Sequence, residues 1–286
     1  MQLTANPVVG AEITDLDARA LDDATFAVLD QALLRHQMLA IRDQQLTPEA
    51  FVAFAQRFGA IDLHVLDRYW MPGHPEIYVI SNIVEDGRPI GNPREGFGWH
   101  TDLNYFANPT AITLLYAVEV PPESGDTLFA DTALAFGALP ASRQAELRRL
   151  KARHSYRLLH ESRPWLPPMT PEQIERTPDV EHPVVRRHPR TEREGLYLCD
   201  RSNVHLLLPG ADDDEVGRQQ EELLAHMVRE EFVQAHHWRP RDLVLWDNRT
   251  LIHTATEYDR DRHRRHVWRT SVRGEVPIVA QRLVHR

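Results

Sequence analysis

His100, Thr101 and Asp102 place an imidazole and a carboxylate two residues apart. On an extended backbone positions i and i+2 face the same way, so both side chains can reach one divalent cation. Facial binding needs a third ligand, and His253, flanked by Leu251, Ile252 and Thr254, offers one from a later apolar run. Two imidazoles and one carboxylate with open positions suit non-haem Fe(II), because those positions admit a co-substrate and dioxygen. Zinc-assisted hydrolysis is chemically compatible with the same set. A lone His-x-Asp is a weak signal in a chain with 16 His and 42 Asp plus Glu, where a surface or core pair is the ordinary reading.

The arginines beyond His253 sharpen it. Arg260, Arg262, Arg264, Arg265, Arg269 and Arg273 crowd one short segment of an otherwise acidic chain. On a strand starting near Arg265, alternation puts Arg265, Val267 and Arg269 on one face and Arg264, His266 and Trp268 on the other. A guanidinium grips a carboxylate through two parallel hydrogen bonds, so such a pair can hold two different anions beside a metal, one of them a dicarboxylate co-substrate.

Trp99-His100-Thr101-Asp102, Gly125-Asp126-Thr127-Leu128, Trp246-Asp247-Asn248-Arg249, His253 and the run from Arg264 and Arg265 to Arg269 together resemble the taurine and 2,4-dichlorophenoxyacetate (TauD/TfdA) dioxygenase family. The motifs occur in the family's order, and the resemblance extends from near Leu21 to about Gly274. It implies a mainly β fold with flanking helices, the double-stranded β-helix or cupin-like jelly roll. It implies dependence on Fe(II), 2-oxoglutarate and dioxygen, with succinate and carbon dioxide released as a substrate is hydroxylated. Residue by residue, it implies that His100, Asp102 and His253 bind the iron and that Thr127 and Arg265 hold the distal carboxylate of 2-oxoglutarate. Arg265 stands one residue beyond the spacing common in the family, which Arg264 occupies; the same-face relation to Arg269 favours Arg265, and Arg264 stays open. Arg269 matches a position that meets anionic substrates, and His64, Asn104 and Tyr105 are further candidates for substrate contact.

The expected substrate is a small anion such as a sulfonate, a sulfate ester or an aryloxy or alkyl carboxylate, with C–O or C–S cleavage when the hydroxylated carbon bears the heteroatom. The alternative is tailoring of a natural product, on an amino acid or a carrier-bound intermediate. Asp102 argues against halogenation, which in this family replaces the carboxylate. A zinc hydrolase would need neither dioxygen nor 2-oxoglutarate, and a non-catalytic binding protein would not need all five of His100, Asp102, His253, Thr127 and Arg265.

The elements that must position these residues are readable in outline. Helical spacing predicts a helix over Leu21 to Gln37, and Thr47-Pro48 opens a second that ends at Gly59, with a strand from Met38 to Ile41 between them. A strand at Ile77 to Ile80 leads into a polar loop from Asn82 to Gly98, which delivers the chain to Trp99. Two strands, Ala111 to Val120 and Thr127 to Phe129, are expected to be joined tightly through Pro121 to Gly125. Helices are expected over Ala141 to Ala152 and Asp213 to Glu231, an aperiodic lid over Trp165 to Pro183, and strands at Asp242 to Trp246, Leu251 to Ala255 and Arg265 to Val272. Trp246 and Trp268 read as core, Asp247 to Arg249 as a turn that fixes His253, and Arg260 to Arg262 as a solvated turn.

Composition narrows the remaining classes. No linker divides the chain, so residues 1–286 are expected to form a single domain. A net charge of −9, from 33 basic against 42 acidic residues, gives no basic footprint for nucleic acid. No apolar run approaches a membrane span, and no leader pattern opens the chain. Cys199 is the single cysteine, so neither a disulfide within the chain nor a multi-thiolate zinc site can form, as expected of a cytoplasmic protein. A homo-oligomer is an expectation from the family alone.

Overall fold

Alternating apolar side chains along short strands build two facing sheets of unequal size, with three further small ones beside them, described over residues 1–280 of the computed structural model. The larger runs, edge to edge, through Gln2–Ala5, Ala11–Thr14, Met38–Ile41, Leu243–Asp247, Thr110–Glu119, His266–Arg273, His74–Ser81 and Trp70–Met71. Every neighbouring pair is antiparallel except Ala11–Thr14 with Met38–Ile41. The smaller sheet has Thr127–Asp131 between Val233–His236 and Leu251–Ala255.

Period-2 alternation gives each strand two jobs. In the larger sheet Met38, Tyr78, Leu115, Val244, Trp246 and Val267 point into a core shared with Phe129 and Leu251 of the smaller sheet. Their neighbours Leu39, Ile77, Leu114, Leu245 and Val272 point the other way, under the helices Asp23–His36 and Pro48–Gln56. Asp22 and Thr47 cap those helices, accepting from the backbone N–H of Thr25 and Ala50. Behind the smaller sheet, Ala130 and Ile252 pack with Leu223 and Met227 of the helix Asp213–Met227. The two sheets therefore face one another with helices outside both.

Connections differ from the sequence expectation in three places. The turn through Gly125 does not join two paired strands: it carries the chain from Thr110–Glu119 in one sheet to Thr127–Asp131 in the other. The helix expected to reach Ala152 stops at Leu147, and Lys151–His154 is a strand held on both sides by Val180–Pro183 and Val204–Leu207. Pairing on both edges overrides local helix propensity there. The segment read as an aperiodic lid contains a capped helix, Pro171–Arg176, opened by a reciprocal Thr170–Gln173 box, before it enters the Val180–Pro183 strand. Among the described residues no helix is long and apolar enough to cross a membrane.

Candidate active site

His253 lies on the strand Leu251–Ala255, opposite Phe129, while His100 is joined to it by a single bridge. The two ligand candidates exchange backbone hydrogen bonds, His100 N to His253 O at 3.0 Å and His253 N to His100 O at 2.9 Å. That reciprocal pair sets the rings 4.3 Å apart. Asp102 is not on a continuing strand, as the i, i+2 argument supposed, but at the start of a turn. Its carboxylate still closes the triangle, 3.9 Å from His100 Nε2 and 3.6 Å from His253 Nε2. One ligand atom from each of the three lies within 4.8 Å of the others. The set of two imidazoles and one carboxylate fits a divalent iron-type cation.

The tautomers fit as well. His100 Nδ1 lies 2.7 Å from Gly98 O, so it carries the proton and Nε2 keeps its lone pair toward Asp102. Gly98 sits at φ +80°, a left-handed conformation in which a Cβ would run into the Asp200 carboxylate. Burial, aided by His100, drops the His253 imidazole to about 3, so this ring stays neutral and able to ligate. Burial would raise the Asp102 carboxyl, but Arg269, His253 and His100 outweigh it and hold it at about 2.

A hydrogen-bonded frame fixes Asp102 from behind. Thr113 Oγ1 donates to Asp102 Oδ2 at 2.6 Å and accepts from Asn248 Nδ2 at 2.9 Å. Asn248 Oδ1 in turn accepts from the Asp102 N–H at 3.1 Å and from Trp246 Nε1 at 3.2 Å. The Asp247–Arg249 turn thus acts on Asp102 directly. Its contribution to His253 runs through Trp246, whose ring packs 4.7 Å from the imidazole.

Two small cavities flank the triad. One is lined by Thr127, Trp246, Arg265 and Arg269 together with all three ligand candidates. Thr127 Oγ1 accepts from Trp238 Nε1 at 3.0 Å, which leaves the hydroxyl proton for another acceptor. Arg265 is buried, with Nη1 3.4 Å from Gly125 O and Nε without a partner among the described residues. Arg264, by contrast, is 63% exposed and pairs with Glu119 outside the cavity.

The other cavity is lined by His64, Asn104, Tyr105 and Arg269 beside His100 and Asp102. Arg269 Nη1 lies 3.3 Å from Asp102 Oδ1, and its guanidinium sits 4.8 Å above the Tyr78 ring. His64 is buried rather than solvated; its Nδ1 accepts from Leu66 N, so Nε2 carries the proton. Burial, then Arg269, keep this ring well below its ordinary value and neutral. Asn104 belongs to a closed polar network, accepting from Asn203 Nδ2 at 2.8 Å and donating to Cys199 Sγ at 3.4 Å. Tyr105 packs 4.7 Å from Tyr156.

Two residues of this cavity escaped the sequence reading. Glu95 accepts from Asn92 Nδ2 at 2.6 Å, Tyr78 Oη at 3.1 Å and Arg163 Nη2 at 3.3 Å, and both Glu95 and Arg163 face the same space as Arg269. Neither belongs to a motif, and they stand 68 positions apart. The polar loop before Trp99 and the segment preceding the capped helix were their only signals.

Residues 2–271 match the taurine catabolism dioxygenase family of TauD and TfdA. The chain is 33% identical to an alpha-ketoglutarate-dependent 2,4-dichlorophenoxyacetate dioxygenase of Cupriavidus pinatubonensis, over 91% of this chain and 94% of that protein. It is 33% identical to pentalenolactone F synthase of Streptomyces arenae, over 88% and 86% respectively. The crystal structure of AAD-2 with Mn(II) and N-oxalylglycine superposes at a TM-score of 0.82 with 27% identity, covering 97% of this chain and all of that one. A mainly β chain with this converging triad, matched over nearly its whole length, belongs to the TauD/TfdA family of alpha-ketoglutarate-dependent dioxygenases, enzymes that use Fe(II), 2-oxoglutarate and dioxygen.

Proposed function

We propose that this dioxygenase, a single domain over residues 1–286, hydroxylates a small anionic organic molecule. The observation that carries this reading is the placement of two buried guanidiniums about one His-Asp-His cluster: Arg265 in one cavity and Arg269 lining both. His100 Nε2, Asp102 and His253 Nε2 would hold the iron, with the Thr113–Asn248 frame keeping the carboxylate aimed. The bound iron would supply the redox chemistry by which one oxygen atom of dioxygen enters succinate, as 2-oxoglutarate loses carbon dioxide, and the other enters a substrate C–H bond as hydroxyl. Thr127, through its free hydroxyl hydrogen, and Arg265, through its guanidinium N–H groups, would donate hydrogen bonds to the distal carboxylate of 2-oxoglutarate. Phe129, Trp246 and Leu115 exclude water from that side. Arg269 orients the substrate anion, and the neutral His64 offers Nε2–H as a further donor. The facing sheets, with successive strands crossing between them, support reading the fold as a double-stranded β-helix.

The 2,4-dichlorophenoxyacetate relative favours an aryloxy carboxylate, in which hydroxylation next to oxygen collapses with C–O cleavage; sulfonates and sulfate esters share the anionic chemistry. The pentalenolactone F synthase relative favours a second reading, tailoring of a natural product, which includes an amino acid or a carrier-bound intermediate as substrate. Succinate release dependent on dioxygen, screened over aryloxy acids, sulfonates, sulfate esters and amino acids, separates these. Turnover of aryloxy acids or sulfonates supports the first reading. Succinate release coupled only to amino acids, or to none of the anions screened, replaces it with the second.

A further inference from the structure

The Arg163 guanidinium carries five N–H donors and makes one hydrogen bond among the described residues, to Glu95, although little of the side chain is exposed. It follows the helix Tyr156–Glu161, on a different part of the chain from Arg269, yet both guanidiniums line the chamber beside His100 and Asp102. Arg163 and Leu159 also line a wider vestibule of about 720 Å³, so Arg163 stands where the chamber opens. Glu95 is acceptor to Asn92, Tyr78 and Arg163 at once, which holds it in place and leaves the other Arg163 donors toward the cavity.

We propose that Arg163 is a second ligand for the substrate's anionic group, acting with Arg269, and that Glu95 limits the chamber to a single negative charge. This rests on the reading of the site given above. Iron(II), 2-oxoglutarate, Asp102 and Arg265 neutralise one another, since two positive charges and Arg265 meet the dianion and Asp102. What remains are Arg163 and Arg269 against Glu95, one positive charge in excess. Burial would raise the Glu95 carboxyl, but Arg163 and Arg269 hold it at about 2, so its charge counts. Asp200, at the mouth, is partly exposed and engaged by Ser202, where solvent screens it. A monoanion completes this arrangement, whereas a dianion leaves a buried charge without a partner.

The test is calorimetric titration, without oxygen, of the full chain loaded with Mn(II) and 2-oxoglutarate. The probes are phenoxyacetate as monoanion, 2-phenoxyethanol as its neutral counterpart and phenoxymethylphosphonate at pH 8.5 as dianion. Wild type should bind phenoxyacetate most tightly. Arg163→Met should weaken phenoxyacetate by about 10- to 100-fold, the scale of a lost charge-assisted hydrogen bond, and leave phenoxyethanol within about threefold. Arg163→Lys should recover part of the loss. Glu95→Gln should shift the phosphonate-to-acetate ratio by about tenfold or more toward the dianion. An equal loss of the neutral and anionic probes in Arg163→Met, no loss at all, or an unchanged ratio in Glu95→Gln overturns the proposal. Wild type that binds 2-oxoglutarate but none of the three probes also overturns it, whereas failure to bind 2-oxoglutarate overturns the reading beneath it.

Discussion

Replacing Thr113 by Val keeps the shape of the side chain and deletes one oxygen. That oxygen donates to Asp102 Oδ2 at 2.6 Å and accepts from Asn248 Nδ2 at 2.9 Å, both in a buried setting. A hydrogen bond to a charged group contributes about 1.5–3 kcal/mol. If that is lost from the preorganisation of the carboxylate, metal affinity falls by about 10- to 150-fold at 1.4 kcal/mol per decade, overlapping the roughly 10- to 100-fold seen for partners of metal ligands generally. The assay is Mn(II) titration followed by electron paramagnetic resonance, with thermal unfolding run alongside. Thr270→Val is the control: its buried hydroxyl has no partner among the described residues, so stability should hold or rise and metal affinity should not move. Thr113→Val with unchanged Mn(II) affinity and an intact fold would refute the argument that the Thr113–Asn248 frame aims Asp102.

Arg265→Ala should weaken 2-oxoglutarate binding by at least tenfold while Arg264→Ala leaves it within about twofold, measured by calorimetry with metal present; the reverse ranking would place the strand register one residue off. Glu95 provides a pH test, because its folded value of about 2 lies below the ordinary 4.5, with burial opposing and Arg163 and Arg269 prevailing. The folded state then binds fewer protons, so this stabilisation is complete above about pH 4.5 and is lost as pH falls toward 2. Glu95→Gln should therefore flatten the acid limb of stability in that window, followed by urea unfolding, and an unchanged limb would contradict the pairing. Cys199 is fully buried and its thiol is pushed up to about 12 by burial, with Asp200 adding to it. Ellman's reagent should find no reactive thiol until denaturant is added, and rapid labelling of the native protein would contradict the burial.

The chemistry was readable where it is local in sequence. His-x-Asp, the strand carrying His253 and the alternation of Arg265, Val267 and Arg269 each occupy a few consecutive residues, and a periodic backbone turns such spacing into a shared face. Val267 does face the inner core while Trp268 packs under the helices, as alternation requires. What escaped depends on contacts made far along the chain. Thr113 meets Asn248 across 135 positions, and Glu95 meets Arg163 only once the polar loop and the segment after Tyr156–Glu161 close on the same cavity. His64 could be named only as a candidate for substrate contact, because nothing nearby in sequence announces that the Tyr78 ring will lie 3.9 Å from its own. The Gly125 turn misled for the same reason: local turn chemistry says that the chain bends, not which sheet receives it.

The central claim is that His100, Asp102 and His253 hold iron so that Thr127 and Arg265 can seat 2-oxoglutarate beside it. Anaerobic titration of the apoprotein with Fe(II) and then 2-oxoglutarate, followed by visible absorption, tests it directly. A weak charge-transfer band that saturates with 2-oxoglutarate, disappears in His253→Ala and needs far more 2-oxoglutarate in Arg265→Ala is the predicted result. Tight metal binding with no such band would contradict the account and return the zinc-hydrolase and non-catalytic readings of the triad.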